Sequence, residues 1–173
     1  MTMISKYLLG VMCVLSFALI GAECTTVTDI NPADNGGSGG GGTPNQITVR
    51  MVNASPSVAV AVQLYSSTGT VTNPDAELFV ASNQQLAGIG FAGSGILQPN
   101  QTDEVQLACT AAATIGTSGG AFLNVDTGAQ VGAGTRYVLA LGSQYQCGST
   151  ITFTYTPSGN GYRTDVSVVG PGG

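Results

Sequence analysis

From Thr150 to Thr156 the chain reads TITFTYT, with Ile151, Phe153 and Tyr155 alternating strictly with threonines. That period of two is the mark of a β-strand with one face buried, because successive strand side chains point to opposite faces. A helix would bury every third or fourth residue instead. The same alternation runs through ITVRMV (Ile47, Val49, Met51), VAVAVQLY (Val58, Val60, Val62, Leu64), EVQLAC (Val105, Leu107, Cys109) and RYVLALG (Tyr137, Leu139, Leu141). ELFV, AFLNV and RTDVSVV are read as further short strands, with Gly, Pro, Asn and Ser clusters as turns between them. Only CTAAATIG is read as able to form a helical turn. The expectation is an all-β fold of seven to nine short strands: an antiparallel β-sandwich of immunoglobulin-like architecture, with a small β-barrel as the alternative. The chain has no Trp, so the likeness to immunoglobulin domains is architectural only.

Ahead of this region lies a hydrophobic run from Tyr7 to Ala22, preceded by Lys6 and ending in the small residues Gly21 and Ala22. It is short for a membrane span and has the layout of an export signal, assigned here to residues 1–23. Residues 24–45, rich in Gly, Asn, Pro and Thr, read as a flexible linker, and residues 46–170 as the β-sandwich domain. The stretch LIGAEC resembles the lipobox of bacterial lipoproteins, with Glu23 before the cysteine in place of Gly, Ala or Ser and Gly21 where Leu is usual. The resemblance implies that Cys24 is lipidated and that the chain is an exported lipoprotein of the bacterial outer membrane, periplasm or cell surface. Ordinary cleavage after Ala22 is the alternative; it leaves a secreted protein with Cys24 free or paired between molecules.

Cysteine usage fits an oxidising compartment. Cys13 leaves with the signal, Cys24 lies at the linker, and Cys109 and Cys147 fall in two strand-like regions, where strand parity puts Cys109 on the buried face. A bridge between those two is expected.

Charged residues are 8% of the chain, the formal net charge is −5, and beyond Cys24 the only cations are Arg50, Arg136 and Arg163. Nucleic acid and anionic lipid surfaces need clustered cations and are therefore poor partners, and no nucleic acid is expected. There is no His, and the only Lys is Lys6. His-based nucleophilic catalysis, the commonest zinc ligand and Schiff-base chemistry are therefore closed to this chain.

ITVRMVNASPSVAVAVQLY, Ile47 to Tyr65, resembles the opening of a family of bacterial secreted domains of unknown function that begin V-R-V, two residues, A-S-P. Val49, Arg50, Ala54, Ser55 and Pro56 match, and Asn53 stands where His is frequent. The rest of the chain resembles small bacterial envelope proteins. These resemblances imply a location and a fold and leave activity open.

Other motifs read as structure. Gly88-Ile-Gly90-Phe-Ala-Gly93 spells a dinucleotide-binding pattern, but Gly95 and Pro99 oppose the helix that would hold a pyrophosphate. Gly116-Thr-Ser118-Gly-Gly120 spells a nucleophile elbow without a His to complete it. Asp75, Glu77, Asp103, Glu104, Asp126 and Asp165 are the candidates for carboxylate acid–base work or calcium binding, and neighbouring loop residues mark them as solvated acids. Asn53-Ala-Ser55 and Asn100-Gln-Thr102 are glycosylation sequons, coincidental in a bacterial chain. The expected function is non-enzymatic, with no cofactor or metal: a structural or protein-binding role at the envelope, its partner an envelope protein or polysaccharide. The alternative is a carbohydrate- or peptide-binding module, calcium-assisted or not, for which Tyr65, Phe79, Phe91, Tyr145 and Tyr162 are the aromatics to inspect. A carboxylate-based hydrolase is the second alternative.

Overall fold

In the computed structural model, residues 45–87 and 95–171 are described. The signal, almost all of the linker with Cys24, the Gly88–Gly93 motif and Phe91 lie outside the described residues.

The strands form two layers. The first is a four-stranded sheet containing β1 (Gln46–Asn53), β6 (Thr102–Ala108), β11 (Thr150–Ser158) and β12 (Gly161–Val169), in the order β12-β11-β1-β6. β1 runs parallel to β11, while the β1–β6 and β11–β12 pairs are antiparallel. The β11–β12 hairpin turns at Gly159 and Asn160, and Gly159 supplies the positive φ (57°) that a tight turn demands.

The second layer comprises two four-stranded sets. One holds β5 (Ile96–Leu97), β2 (Val58–Ala61), β8 (Ala121–Asn124) and β9 (Gln130–Ala133); the other holds β4 (Gln84–Ala87), β3 (Gln63–Ser67), β7 (Thr114–Thr117) and β10 (Tyr137–Ala140). Strands of one set lead in sequence into their counterparts in the other: β2 into β3, β7 into β8 and β9 into β10, while β4 and β5 are successive strands in the same two positions. The layer is therefore one antiparallel sheet with a crease across it. Among the described residues twelve strand segments are present, and the protein is an all-β sandwich.

Glycines make the crease. Between the Ala61–Ala121 and Leu64–Thr117 pairs, Val62 and Gln63 face Ser118, Gly119 and Gly120, so one strand carries an extra residue. Such a bulge bends the strand that carries it. Gly119 (φ 98°) and Gly120 (φ 69°) take the left-handed backbone that the bend requires. Gly134 N–H bonds the Gly120 carbonyl at 3.1 Å, and the buried Thr164 hydroxyl on β12 bonds the Gly119 carbonyl at 2.9 Å, tying the crease to the first layer.

Alternate residues of both layers fill the space between them. Ile47, Val49 and Met51 of β1 and Ile151, Phe153 and Tyr155 of β11 meet Val58, Val60, Val62, Leu64, Ile115 and Phe122 in one buried cluster. Phe122 meets Tyr155 edge-on and stacks on Tyr162, with ring centres 6.4 and 4.2 Å apart. Tyr155 and Thr117 share a buried hydroxyl–hydroxyl bond of 3.2 Å.

Three local expectations need correcting. ELFV is no strand: Pro74–Glu77 is a single helical turn, started by its proline and stabilised by Glu77, which accepts bonds from the Thr72 N–H and hydroxyl. Cys109 is not on a strand face but opens the 3₁₀ turn Cys109–Ala111, only partly buried, and Cys147 sits in the β10–β11 connection. The bridge between them, with Cα atoms 5.7 Å apart, thus joins two loops rather than two strands. The short segments QQLA, IL and QVGA are also strands (β4, β5, β9), carried by pairing to β3, β2 and β8 rather than by an alternation of their own.

Candidate functional site

Strand parity sends Val58, Val60, Val62 and Leu64 into the core, so Ala59, Ala61, Gln63 and Tyr65 lie on the outer face of the creased layer. The β3 half of that face has a cover. Leu78 is buried against Gly116, where a side chain would meet Leu78 Cδ2 at 2.7 Å. Phe79 packs edge-on against Tyr65, with ring centres 5.2 Å apart, and the Arg136 guanidinium lies 3.9 Å above the Phe79 ring while pairing with Asp75.

Beside this cover, at the crease, a groove of about 200 Å³ is lined by Ala61, Gln63, Ser118, Gly120, Ala121, Gln130 and Ala133. Its floor is methyl groups and backbone. Its polar end is Gln63, whose Oε1 accepts from the Ser118 hydroxyl at 2.9 Å and the Tyr65 hydroxyl at 3.2 Å. Two donors on one oxygen fix the amide plane and leave Nε2 without a protein acceptor among the described residues. Gln130, which also lines the groove, donates its Nε2 to the Gly132 carbonyl at 3.2 Å and keeps Oε1 available. The groove can therefore offer a donor and an acceptor over an apolar floor.

A larger cavity, about 310 Å³, lies between the β10–β11 loop and the end of β12, lined among others by Gln144, Tyr145, Gln146, Ser149, Val168 and Pro171. Its polar groups hold the loop together. Gln144 Oε1 accepts the Ala140 N–H at 2.6 Å, Ser149 Oγ accepts the Gln146 N–H at 3.0 Å, and the buried Tyr145 hydroxyl donates to the Ala112 carbonyl at 2.6 Å. Burial raises the Tyr145 pKa above the ordinary phenol range, so it serves as a neutral strut.

The sequence-predicted residues fall as follows. Asp75 pairs with Arg136, Glu104 with Arg50 at 3.1 Å and Asp165 with Arg163 at 2.8 Å, all on the surface. Backbone N–H donation from Thr72 and Asn73 lowers the pKa of exposed Glu77. Asp103 accepts the N–H of Glu104, and Asp126 sits in the β8–β9 turn organised by the Asn124 side chain. The structure brings no two of these six acids together in a pocket among the described residues. Ser118 belongs to a bulge between strands rather than a strand-to-helix elbow, and its hydroxyl is committed to Gln63. Asn53 is buried: the two hydrogens of Nδ2, one of them shared, reach the Val58, Leu97 and Gln98 carbonyls and Oδ1 accepts the Ser55 N–H, so that sequon stitches the β1–β2 corner. Asn100 is exposed at φ 60°. Of the aromatics, Tyr65 and Tyr145 are buried, Phe79 lies under Arg136 and Tyr162 stacks on Phe122.

Sequence reasoning did not single out Gln63 and Gln130. Gln63 had a readable signal, as the one polar residue in VAVAVQLY with a parity that points away from the core. Gln130 had none, because QVGA shows no burial pattern.

No protein-family model matches the sequence, nor does any curated protein. Among solved structures, the chain is similar to the solution structure of CBM25-1 of a beta/alpha-amylase from Paenibacillus polymyxa, at 19% identity and a TM-score of 0.31, over 77% of this chain and all of that one. So slight a likeness transfers no site.

Proposed function

We propose that this protein is a non-catalytic binding module displayed at the bacterial envelope: exported by residues 1–23, anchored through lipid on Cys24, and held clear of the membrane by the linker. A flexible linker of this length has an r.m.s. reach of about 25 Å. The observation that carries the binding role is the crease groove, where Ser118 and Tyr65 fix the Gln63 amide over an apolar floor. Specific sites are built in this way, from a few oriented polar groups on an apolar surface. That groove favours ligand binding over a purely structural role. The Cys109–Cys147 bridge supports an oxidising location, and the surface pairing of Asp75, Glu104 and Asp165 supports a role other than acid–base catalysis.

Expression of the full chain in a bacterial host tests the anchor. Wild-type protein should partition into detergent with an intact mass that includes acyl chains, and Cys24→Ser should move it to the soluble fraction, because stable anchoring needs two or more acyl chains. A soluble wild-type product beginning at Glu23 would replace anchoring with secretion. Pull-down on isolated envelope polymers tests the binding role, with Ala133→Leu filling the groove. Retention of wild type and loss of the variant is the expected pattern; equal retention of both would move the contact surface elsewhere.

A further inference from the structure

We infer that the crease groove takes an acetamido group carried on a sugar, so that the ligand is an N-acetylated polysaccharide; this rests on the binding-module reading above. Size comes first. Pockets for whole small molecules run to roughly 300–1,000 Å³. At about 200 Å³ this groove suits one substituent rather than a whole ligand. Its chemistry then selects the substituent. Gln63 presents an amide N–H donor, Gln130 an amide oxygen, and Ala61, Ala121 and Ala133 a floor of methyls. An acetamido group has the matching set: a carbonyl to accept, an N–H to donate and a methyl for the floor. A bare hydroxyl leaves the floor unused. No charged residue lines the groove and the chain carries a net charge of −5, which disfavours an anionic substituent.

One further observation favours a sugar over an extended peptide as the carrier. An extended peptide binds a sheet by adding a strand at a free edge. Five of the seven residues that line this groove lie on β2–β3 and β7–β8, each of which already has a paired strand on both sides, and only Gln130 and Ala133 lie on the edge strand β9. The lining also has no aromatic ring, so the substituent rather than the sugar ring is the handle. Weak binding of each unit fits a repeating polymer, where several anchored copies act together.

The test is an amide-resolved NMR titration of the mature protein with N-acetylglucosamine tetramer, glucose tetramer of the same β-1,4 linkage, and an N-acetylated dipeptide amide. The expected result is shifts at the Gln63 side-chain amide and at Ala61, Ala121 and Ala133 with the N-acetylated sugar alone. Gln63→Glu keeps the oxygen that Ser118 and Tyr65 bond but removes the donor, and should weaken binding at least about five-fold, the value of one neutral hydrogen bond. Ala133→Leu should abolish the shifts with its spectrum otherwise that of the folded protein. Equal shifts with the glucose tetramer, shifts with the dipeptide only, or wild-type affinity in Gln63→Glu would each overturn the inference. So would an absence of shifts; if envelope polymer is still retained in pull-down, the binding reading survives that result. Release of shortened sugars during the titration would overturn the non-catalytic reading itself.

Discussion

Asn53 concentrates several buried hydrogen bonds in one side chain. It lies on the buried parity of β1, after Ile47, Val49 and Met51, and satisfies three carbonyls and one N–H at the corner into β2. Asn53→Ala strands those groups without water, and should cost about 3 kcal/mol in urea unfolding. Parity made its burial legible in the sequence, but its partners Leu97 and Gln98 lie more than forty residues away and no local pattern announces them. Tyr155 gives a pH signature. Burial raises its pKa above the ordinary phenol range, although its bond with Thr117 opposes the shift. Its contribution is therefore complete below the unfolded value near pH 10 and is lost as pH rises toward the folded value. Tyr155→Phe should lose about 1 kcal/mol at neutral pH, yet decline less steeply than wild type above pH 10, as unfolding midpoints between pH 7 and 12 would record.

At the level of strands, the crease explains which elements were readable. VAVAVQLY keeps one parity from Val58 to Tyr65, so it reads as a single strand although it serves both halves of the creased layer. On β7–β8 the core-facing set runs through Ile115 and Thr117, then resumes at Gly120 and Phe122, because the bulge adds a residue. A fixed period of two cannot follow that change, which is why IGTSGGAFL resists reading as one strand. ELFV misleads for a different reason: its apolar residues cover the outside of a sheet and do not form one. Gly120 tests the crease directly. A side chain there would need φ 69° and would sit 2.9 Å from both the Tyr155 ring and Val60 Cγ1. Gly120→Ala should cost about 2–4 kcal/mol from strain and overpacking together, measured by chemical denaturation, while Gly142→Ala, with open space around it and a similar φ (79°), should cost about 1–2.

For the molecule as a whole, the bridge closes a sequence separation of 38 residues. The chain-entropy model assigns such a closure about 4 kcal/mol. Changing Cys109 and Cys147 together to Ser should lower stability by that order, and adding reductant should change the wild-type midpoint but not that of the double variant. The sandwich class was legible because the core-facing alternation of β1, β2–β3 and β11 survives in the sequence; the parallel β1–β11 pairing was not, because strand direction leaves no trace in a period of two. That pairing has a mechanical consequence. β1 is the first strand among the described residues and lies inside its sheet, hydrogen-bonded to β11 on one side and β6 on the other. Under the proposed anchoring, a pull through residues 24–45 would reach β1 first and load the hydrogen-bond ladders on both of its sides, where a strand at an edge has one ladder.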